Sequence, residues 1–288
     1  MYKSERLQIA TINELSRLNS KRLTFNLLNE DFSKYYRKSN FFGRYLLRRQ
    51  VRLLTYNSQY IGYLWYSKIG TKKGVYCINA LYVDKEYIDK EVYKLFCDFN
   101  GGSIVYFDCK MTETSSSLLE SIGFIRKNGT YELTKTINMK ENIENSGLKF
   151  ITFRRGRHEK LRCDIQNEIF RNSQREPLSV QDIYLDEMQE YYVNDWCIFL
   201  QSEGKIVGYG QIIMSNYKPL IVNFGVKDGY RHRGFGDILL CYLINILFDA
   251  GHKEVRIKVS TTNLPAYNLY RKKGFNVVDE YYTWIRTF

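Results

Sequence analysis

A chain of 288 residues with 44% hydrophobic content, 25 Tyr and 17 Phe has room for one large domain or two ordinary ones, and is too apolar to stay unfolded. Its formal net charge of +12 favours anionic partners such as phosphorylated cofactors, nucleic acid or a membrane surface, without choosing among them. The six cysteines form no Cys-x-x-Cys pair, which argues against a zinc ribbon or a disulfide framework, and no run reaches the roughly 18 apolar residues of a membrane span.

The N-terminus lacks the apolar core of a signal peptide, so a cytoplasmic protein is expected, with no metal and no membrane partner. Short basic clusters such as Arg154-Arg155 and Arg271-Lys272-Lys273 read as solvated faces, and nucleic acid is not an expected partner. A monomer whose two halves act as a pseudo-dimer is expected from the repeat described below.

In chain order, a short first strand precedes a helical pattern from Leu7 to Leu18, and a second mixed helix is expected over Lys21 to Tyr36. Val51 to Tyr56 and Tyr60 to Trp65 bracket Asn57-Ser58-Gln59 as a β-hairpin, and Val75 to Val83 is another strand. A helix over about Lys90 to Phe99, a strand Ile104 to Asp108, a helix Ser115 to Ser121 and a strand Tyr131 to Lys135 complete the first half. The polar stretch 138–147 reads as a linker between a domain 1–137 and a domain 148–288.

The second half repeats the order. Lys149 to Arg154 is a strand, Arg157 to Phe170 a helix, and Ser179 to Tyr191 a helix opened by an N-cap serine with Asp182 at the capping-box position. Trp196 to Gln201 and Lys205 to Met214 flank a second hairpin turn. Val222 to Val226 is a strand, and Ile238 to Phe248 carries apolar residues at helical spacing. The strand Val255 to Val259, the helix Leu264 to Lys273 and terminal strands from Asn276 to Phe288 follow. Three anchors align the halves: Tyr60-Ile61-Gly62-Tyr63 with Ile206-Val207-Gly208-Tyr209, Val83 with Val226, and Ile122-Gly123-Phe124 with Lys273-Gly274-Phe275.

Between that strand and helix, Arg231-His232-Arg233-Gly234-Phe235-Gly236 supplies two glycines among cationic side chains. Such a loop leaves successive backbone N–H groups free to converge on a phosphate, and the helix N-terminus adds partial positive charge. The bland reading is a tight turn before a core helix. Laid out from the shared valine, the first half has Ile88, Glu91 and Tyr93 in place of Arg231, Gly234 and Gly236, and has lost the cradle. A Rossmann site would place its glycines after the first strand, and a Walker A loop would end in Gly-Lys-Ser/Thr. Neither holds here.

Val226 with Arg231-x-x-Gly234-x-Gly236, followed by Asn263-x-x-Ala266-x-x-Leu269-Tyr270-x-x-x-Gly274-Phe275, resembles the two ordered motifs of the GCN5-related N-acetyltransferase (GNAT) family. The likeness covers 149–288 well and 1–137 through topology and the Leu118-Leu119-x-x-x-Gly123-Phe124 echo, a layout similar to tandem members such as mycothiol synthase. It implies an α/β (α+β) fold of two tandem GNAT-like domains, each a mixed, mostly antiparallel sheet flanked by helices. It also implies acetyl-CoA as cosubstrate and an N-acetyltransferase that transfers the acetyl group to the amine of a small molecule or peptide by direct attack. Phe224, Val226, Arg231, His232, Arg233, Gly234, Phe235, Gly236, Asn263 and Tyr270 would then hold the cofactor.

Tyr270 matches the family's proton donor to the departing thiolate, a role its ordinary pKa near 10 suits; its alternative is a tyrosine packing a helix on the sheet. Asn263 either reaches the pantetheine arm or caps the helix that follows, or both. No general base is assigned: Leu220 to Phe224 contain no carboxylate, leaving Glu190, Glu280 or a backbone-held water. That gap keeps a non-catalytic acyl-CoA-binding or protein-interaction module as the alternative. His158 and His252 read as surface residues, and Cys241 as a small buried thiol.

Overall fold

The computed structural model describes all residues except 71–72, 89–90, 145–146 and 172–175. The first half runs β1 (Tyr2–Arg6), α1 (Ile12–Ser20), a 3-10 turn Arg22–Thr24, α2 (Phe32–Lys38), α3 (Phe41–Arg49), β2 (Val51–Tyr56), β3 (Gln59–Lys68) and β4 (Val75–Val83). Two 3-10 turns, Lys85–Tyr87 and Val92–Phe96, lead to β5 (Ile104–Lys110), α4 (Glu113–Ser121) and β6 (Ile125–Thr136). The second half has β7 (Lys149–Thr152), α5 (Glu159–Ile169), α6 (Val180–Glu187), β8 (Tyr192–Ser202), β9 (Lys205–Ser215) and β10 (Lys218–Val226). After a 3-10 turn Asp228–Tyr230 come α7 (Phe235–Asp249), β11 (Glu254–Ser260), α8 (Leu264–Lys272) and β12 (Asn276–Thr287).

Several expectations are corrected. The helix Lys21 to Tyr36 divides into a 3-10 turn and α2, because the Asp31 side chain accepts from the Ser33 and Lys34 backbone and starts a new helix there. Nothing in the sequence reading anticipated α3, which Asn40 opens by accepting from the Gly43 N–H. The helix Lys90 to Phe99 is reduced to the five-residue turn Val92–Phe96, its first position lying outside the described residues. The terminal strands are one strand of 12 residues. Of the expected linker 138–147, residues 145–146 lie outside the described residues.

The chain forms two compact units that follow strand pairing rather than chain order. One comprises Met1–Thr130, Ser260–Thr262 and Asp279–Phe288; the other Tyr131–Val259 and Asn263–Val278. The expected boundaries at 137 and 148 were contiguous. In the first unit the sheet runs β1-β2-β3-β4-β5 and then the end of β12, where Tyr281 to Thr287 lie antiparallel to Lys110 to Ile104. Trp284 of β12 is fully buried in that unit's core with Phe107, Leu119 and Phe124. The second unit's sheet runs from the end of β6 through β11-β10-β9-β8 to β7, and Leu133 and Ile137 are buried with Leu239, Leu243, Ile257 and Phe275. Each half of the chain thus hands the end of its last strand to the other unit.

The repeat is geometric as well as sequential. Gly62 lies opposite Val83 and Gly208 opposite Val226, in each case where an added Cβ would press on the facing strand's carbonyl oxygen, at 2.8 Å from Tyr82 and 3.2 Å from Gly225. Phe124 N–H donates to Leu119 O at 2.8 Å and Phe275 N–H to Tyr270 O at 3.0 Å, with Gly123 and Gly274 both left-handed between helix and strand. The hairpin turns use the same backbone, with φ of +47° and +67° at Asn57-Ser58 and +47° and +78° at Glu203-Gly204.

Candidate active site

In the second unit a cleft of about 1060 Å3 opens between the end of β10, the loop 231–234, the start of α7 and the face of α8. Its origin is a parting of strands. β10 pairs with parallel β11 only at Leu220 and Ile221, and its register with β9 shifts between Val222 and Gly225, with Asn223 at φ +50°. A bulge of this kind bends the strand and releases backbone groups from the ladder. Asn tolerates the left-handed backbone better than most residues.

Of the ten residues expected to hold a cofactor, Phe224, Val226, Arg231, His232, Arg233, Gly234, Gly236, Asn263 and Tyr270 line this one cleft. Phe235 does not: its ring stacks on Tyr230, with centroids 6.4 Å apart. Gly234 is the N-cap of α7 at φ +78°, with nothing within 4 Å of where a Cβ would stand, so the backbone conformation is what calls for glycine there. No side chain caps α7, and the N–H groups of its first turn are left for a ligand. The Arg231 side chain mostly serves the loop: Nε donates to Val226 O at 3.1 Å and Nη1 pairs with Asp228 at 2.6 Å. Arg231, Arg233, Lys272 and Lys273 set four cationic side chains against Glu144 and Asp237 in the lining.

Tyr270 is 4% exposed on α8, its ring tilted against Phe224 and Phe275. Burial pushes its hydroxyl well above the usual tyrosine range rather than leaving it near 10, so it is a weaker acid than the sequence leads one to expect. Asn263 does cap α8, its Oδ1 accepting from Ala266 N–H at 3.3 Å, while it also lines the cleft. Cys241 is buried at the cleft wall, where burial raises its thiol pKa. Neither Glu190 nor Glu280 lines the cleft; Glu190 is exposed and Glu280 belongs to the first unit. His158 and His252 are half-buried rather than surface residues, edge-on to Phe199 and Trp196.

A network that the sequence reading missed lies beside the bulge. Arg162, 1% exposed on α5, pairs with Asp186 of α6 and donates to Gln211 Oε1 of β9 at 2.9 Å. Gln211 donates to Asp186 at 3.1 Å and accepts from Asn223 Nδ2 at 3.1 Å, and the Tyr191 hydroxyl donates to Asp186 Oδ1 at 2.8 Å. Burial by itself would raise the Asp186 carboxyl, but the hydrogen bonds from Arg162, Tyr191 and Gln211 outweigh it and hold the pKa below the ordinary carboxylate range. One signal was available: a carboxylate and an arginine on neighbouring amphipathic helices.

The first unit keeps the frame of the cleft without its contents. Tyr82, Val83, Ile88 and Thr112 line a pocket of only about 200 Å3, with Ile88 9% exposed and Leu119 buried. Glu91 takes the left-handed N-cap conformation of Gly234, φ +53°, ahead of a five-residue turn where the second unit has the 15-residue α7.

Residues 163–275 match the Acetyltransferase (GNAT) family. The family likeness thus falls on the second half of the chain, within a tandem GNAT-type fold. A mycothiol acetyltransferase from Clavibacter sepedonicus is 30% identical over 74 residues, about a quarter of each protein (26% and 24%). A GCN5-related N-acetyltransferase from Sphaerobacter thermophilus superposes with a TM-score of 0.64 at 16% identity, covering 99% of this chain and 95% of that one. A tandem GNAT protein from the clavulanic acid biosynthesis pathway gives 0.55 at 10% identity, covering 100% and 98%. At these identities the solved structures establish a shared fold alone. Among the described residues no group of His, Cys, Asp and Glu could hold a metal ion, and no helix is long and apolar enough to cross a membrane.

Proposed function

We propose that the second unit transfers an acetyl group from acetyl-CoA to the amine of a small molecule or peptide by direct attack, with Tyr270 donating the proton that the departing thiolate takes. The observation that carries this reading is the meeting, in one cleft, of an uncapped helix N-terminus, a cationic lining and a buried protonated tyrosine. The first turn of α7 and the backbone of 232–236 would hold the pyrophosphate. The released backbone of 224–226 would polarise the carbonyl oxygen, and Asn263 would steady the pantetheine arm.

Acetyl-CoA supplies the thioester. The chain orients it and manages protons: a C–N bond forms as the C–S bond breaks, the sulfur takes the Tyr270 proton, and the proton shed by the new amide nitrogen restores the tyrosine. No carboxylate stands on β10 beside the cleft, so the amine, if it enters as the ammonium, is read as losing its proton to solvent before it attacks.

Isothermal titration with acetyl-CoA, followed by CoA thiol release over an amine panel, tests the proposal. Binding of one acetyl-CoA per chain with thiol release is expected. Binding without release from any amine would favour a non-catalytic acyl-CoA-binding module instead.

A further inference from the structure

Beside the cofactor cleft, and still within the second unit, lies a polar pocket of about 320 Å3 lined by Arg162, Gln166, Asp182, Asp186, Gln189 and Asn223, among others. We propose that it binds the acceptor. The acceptor is then a cationic amine bearing a neutral oxygen, an amino alcohol or amino amide, and no carboxylate. This rests on the acetyl-transfer reading above.

Position comes first. α5 gives Arg162 and Gln166 to the pocket and, one turn further on, Ile169 and then Phe170 to the cofactor cleft. β10 gives Asn223 to the pocket and Phe224 to the cleft. Two elements therefore each pass from one cavity to the other within a few residues, and they do so at the bulge whose backbone would face the thioester.

The chemistry of the lining then selects. Gln166 is 1% exposed and its Nε2 has no hydrogen-bond partner among the described residues; Arg162 is equally buried, its guanidinium over the rings of Phe153, Tyr192 and Tyr209 and its Nε and Nη1 without a hydrogen bond among the described residues. Buried donors of this kind call for an oxygen on whatever fills the pocket. That oxygen is not a carboxylate. The Arg162 charge is already matched by Asp186, and Asp182 adds a second carboxylate to a lining that holds no other cation among the described residues. An anion would meet repulsion there, whereas an ammonium group would be drawn in.

Three amines separate the terms: L-serinamide, L-serine and n-propylamine, each offered with saturating acetyl-CoA while thiol release is followed, with kcat/KM referred to the free-base concentration of each so that their different amine pKa values do not enter. Serinamide should have a kcat/KM roughly tenfold or more above both others, since serine adds the anion and propylamine lacks the oxygen. Gln166→Leu should bring serinamide down towards propylamine with the acetyl-CoA Kd unchanged. Gln189→Lys, at an exposed rim position, should raise the KM of serinamide, and it serves if the buried variant does not fold. Serine as the best substrate, or propylamine equal to serinamide, overturns the assignment. If acetyl-CoA binds and no amine releases thiol, the catalytic reading fails by itself. NMR titration of serinamide against serine then decides the pocket, with tighter serine or equal binding counting against it.

Discussion

At the scale of single residues, Tyr270 carries the sharpest expectation. Tyr270→Phe removes the hydroxyl while retaining the ring contacts with Phe224 and Phe275. Steady-state assays should show kcat lowered by about 10²-fold or more with acetyl-CoA affinity unchanged, the usual range for a general acid; a wild-type kcat would return the residue to packing. Gly234 separates strain from charge. Gly234→Ala forces a side chain into φ +78° at a cost of about 1–2 kcal/mol but into open space, so acetyl-CoA binding should survive. Gly234→Glu, which copies Glu91 of the first unit, should abolish binding in a protein that still folds, as calorimetry and circular dichroism would report. Both residues were legible in the sequence because each sits in a short ordered motif. Arg162, Asp186, Gln211 and Asn223 were not, since four separate elements bring them together and no spacing links them.

At the scale of elements, the corner of α5 and α6 is tied by the Arg162–Asp186 pair, and breaking a buried pair from one side costs about 3–5 kcal/mol. The pair also has a pH signature. A carboxyl whose folded pKa is depressed contributes stability that is complete above the unfolded value near 4 and is lost as pH falls through the folded value. Urea denaturation at stepped pH should therefore show an acid loss in the wild type that is diminished in Asp186→Asn, which starts less stable at neutral pH. Equal acid slopes in the two proteins would remove the pair from the account. The Ser179–Asp182 capping box was readable because its two residues stand three apart, and the structure has both of its hydrogen bonds. The helix expected at Lys90 to Phe99 was misjudged because apolar spacing survives where only a 3-10 turn forms. α3 was passed over because its exposed Phe41 and Phe42 give no burial pattern to find.

At the scale of the molecule, the tandem layout was visible in the paired anchors, while the exchange of final strands was not. Periodicity names a face of a strand without naming its neighbour. The exchange predicts how truncation behaves. A fragment 148–288 lacks Leu133 and Ile137 from its own core and leaves Trp284, a core residue of the other unit, without its surroundings. It should be insoluble or far less stable than the whole chain; a soluble, fully active fragment in thermal and kinetic assays would show that the exchanged strands are dispensable. The same arrangement bears on the protein's synthesis. Ile104 has its partner in Thr287, so the sheet of the unit that emerges first cannot close until residue 287 has been added. At about 5–20 residues per second the ribosome would hold that edge of β5 open for on the order of ten seconds or more, an interval in which a chaperone, rather than the chain itself, has to keep the unpaired strand from other nascent proteins.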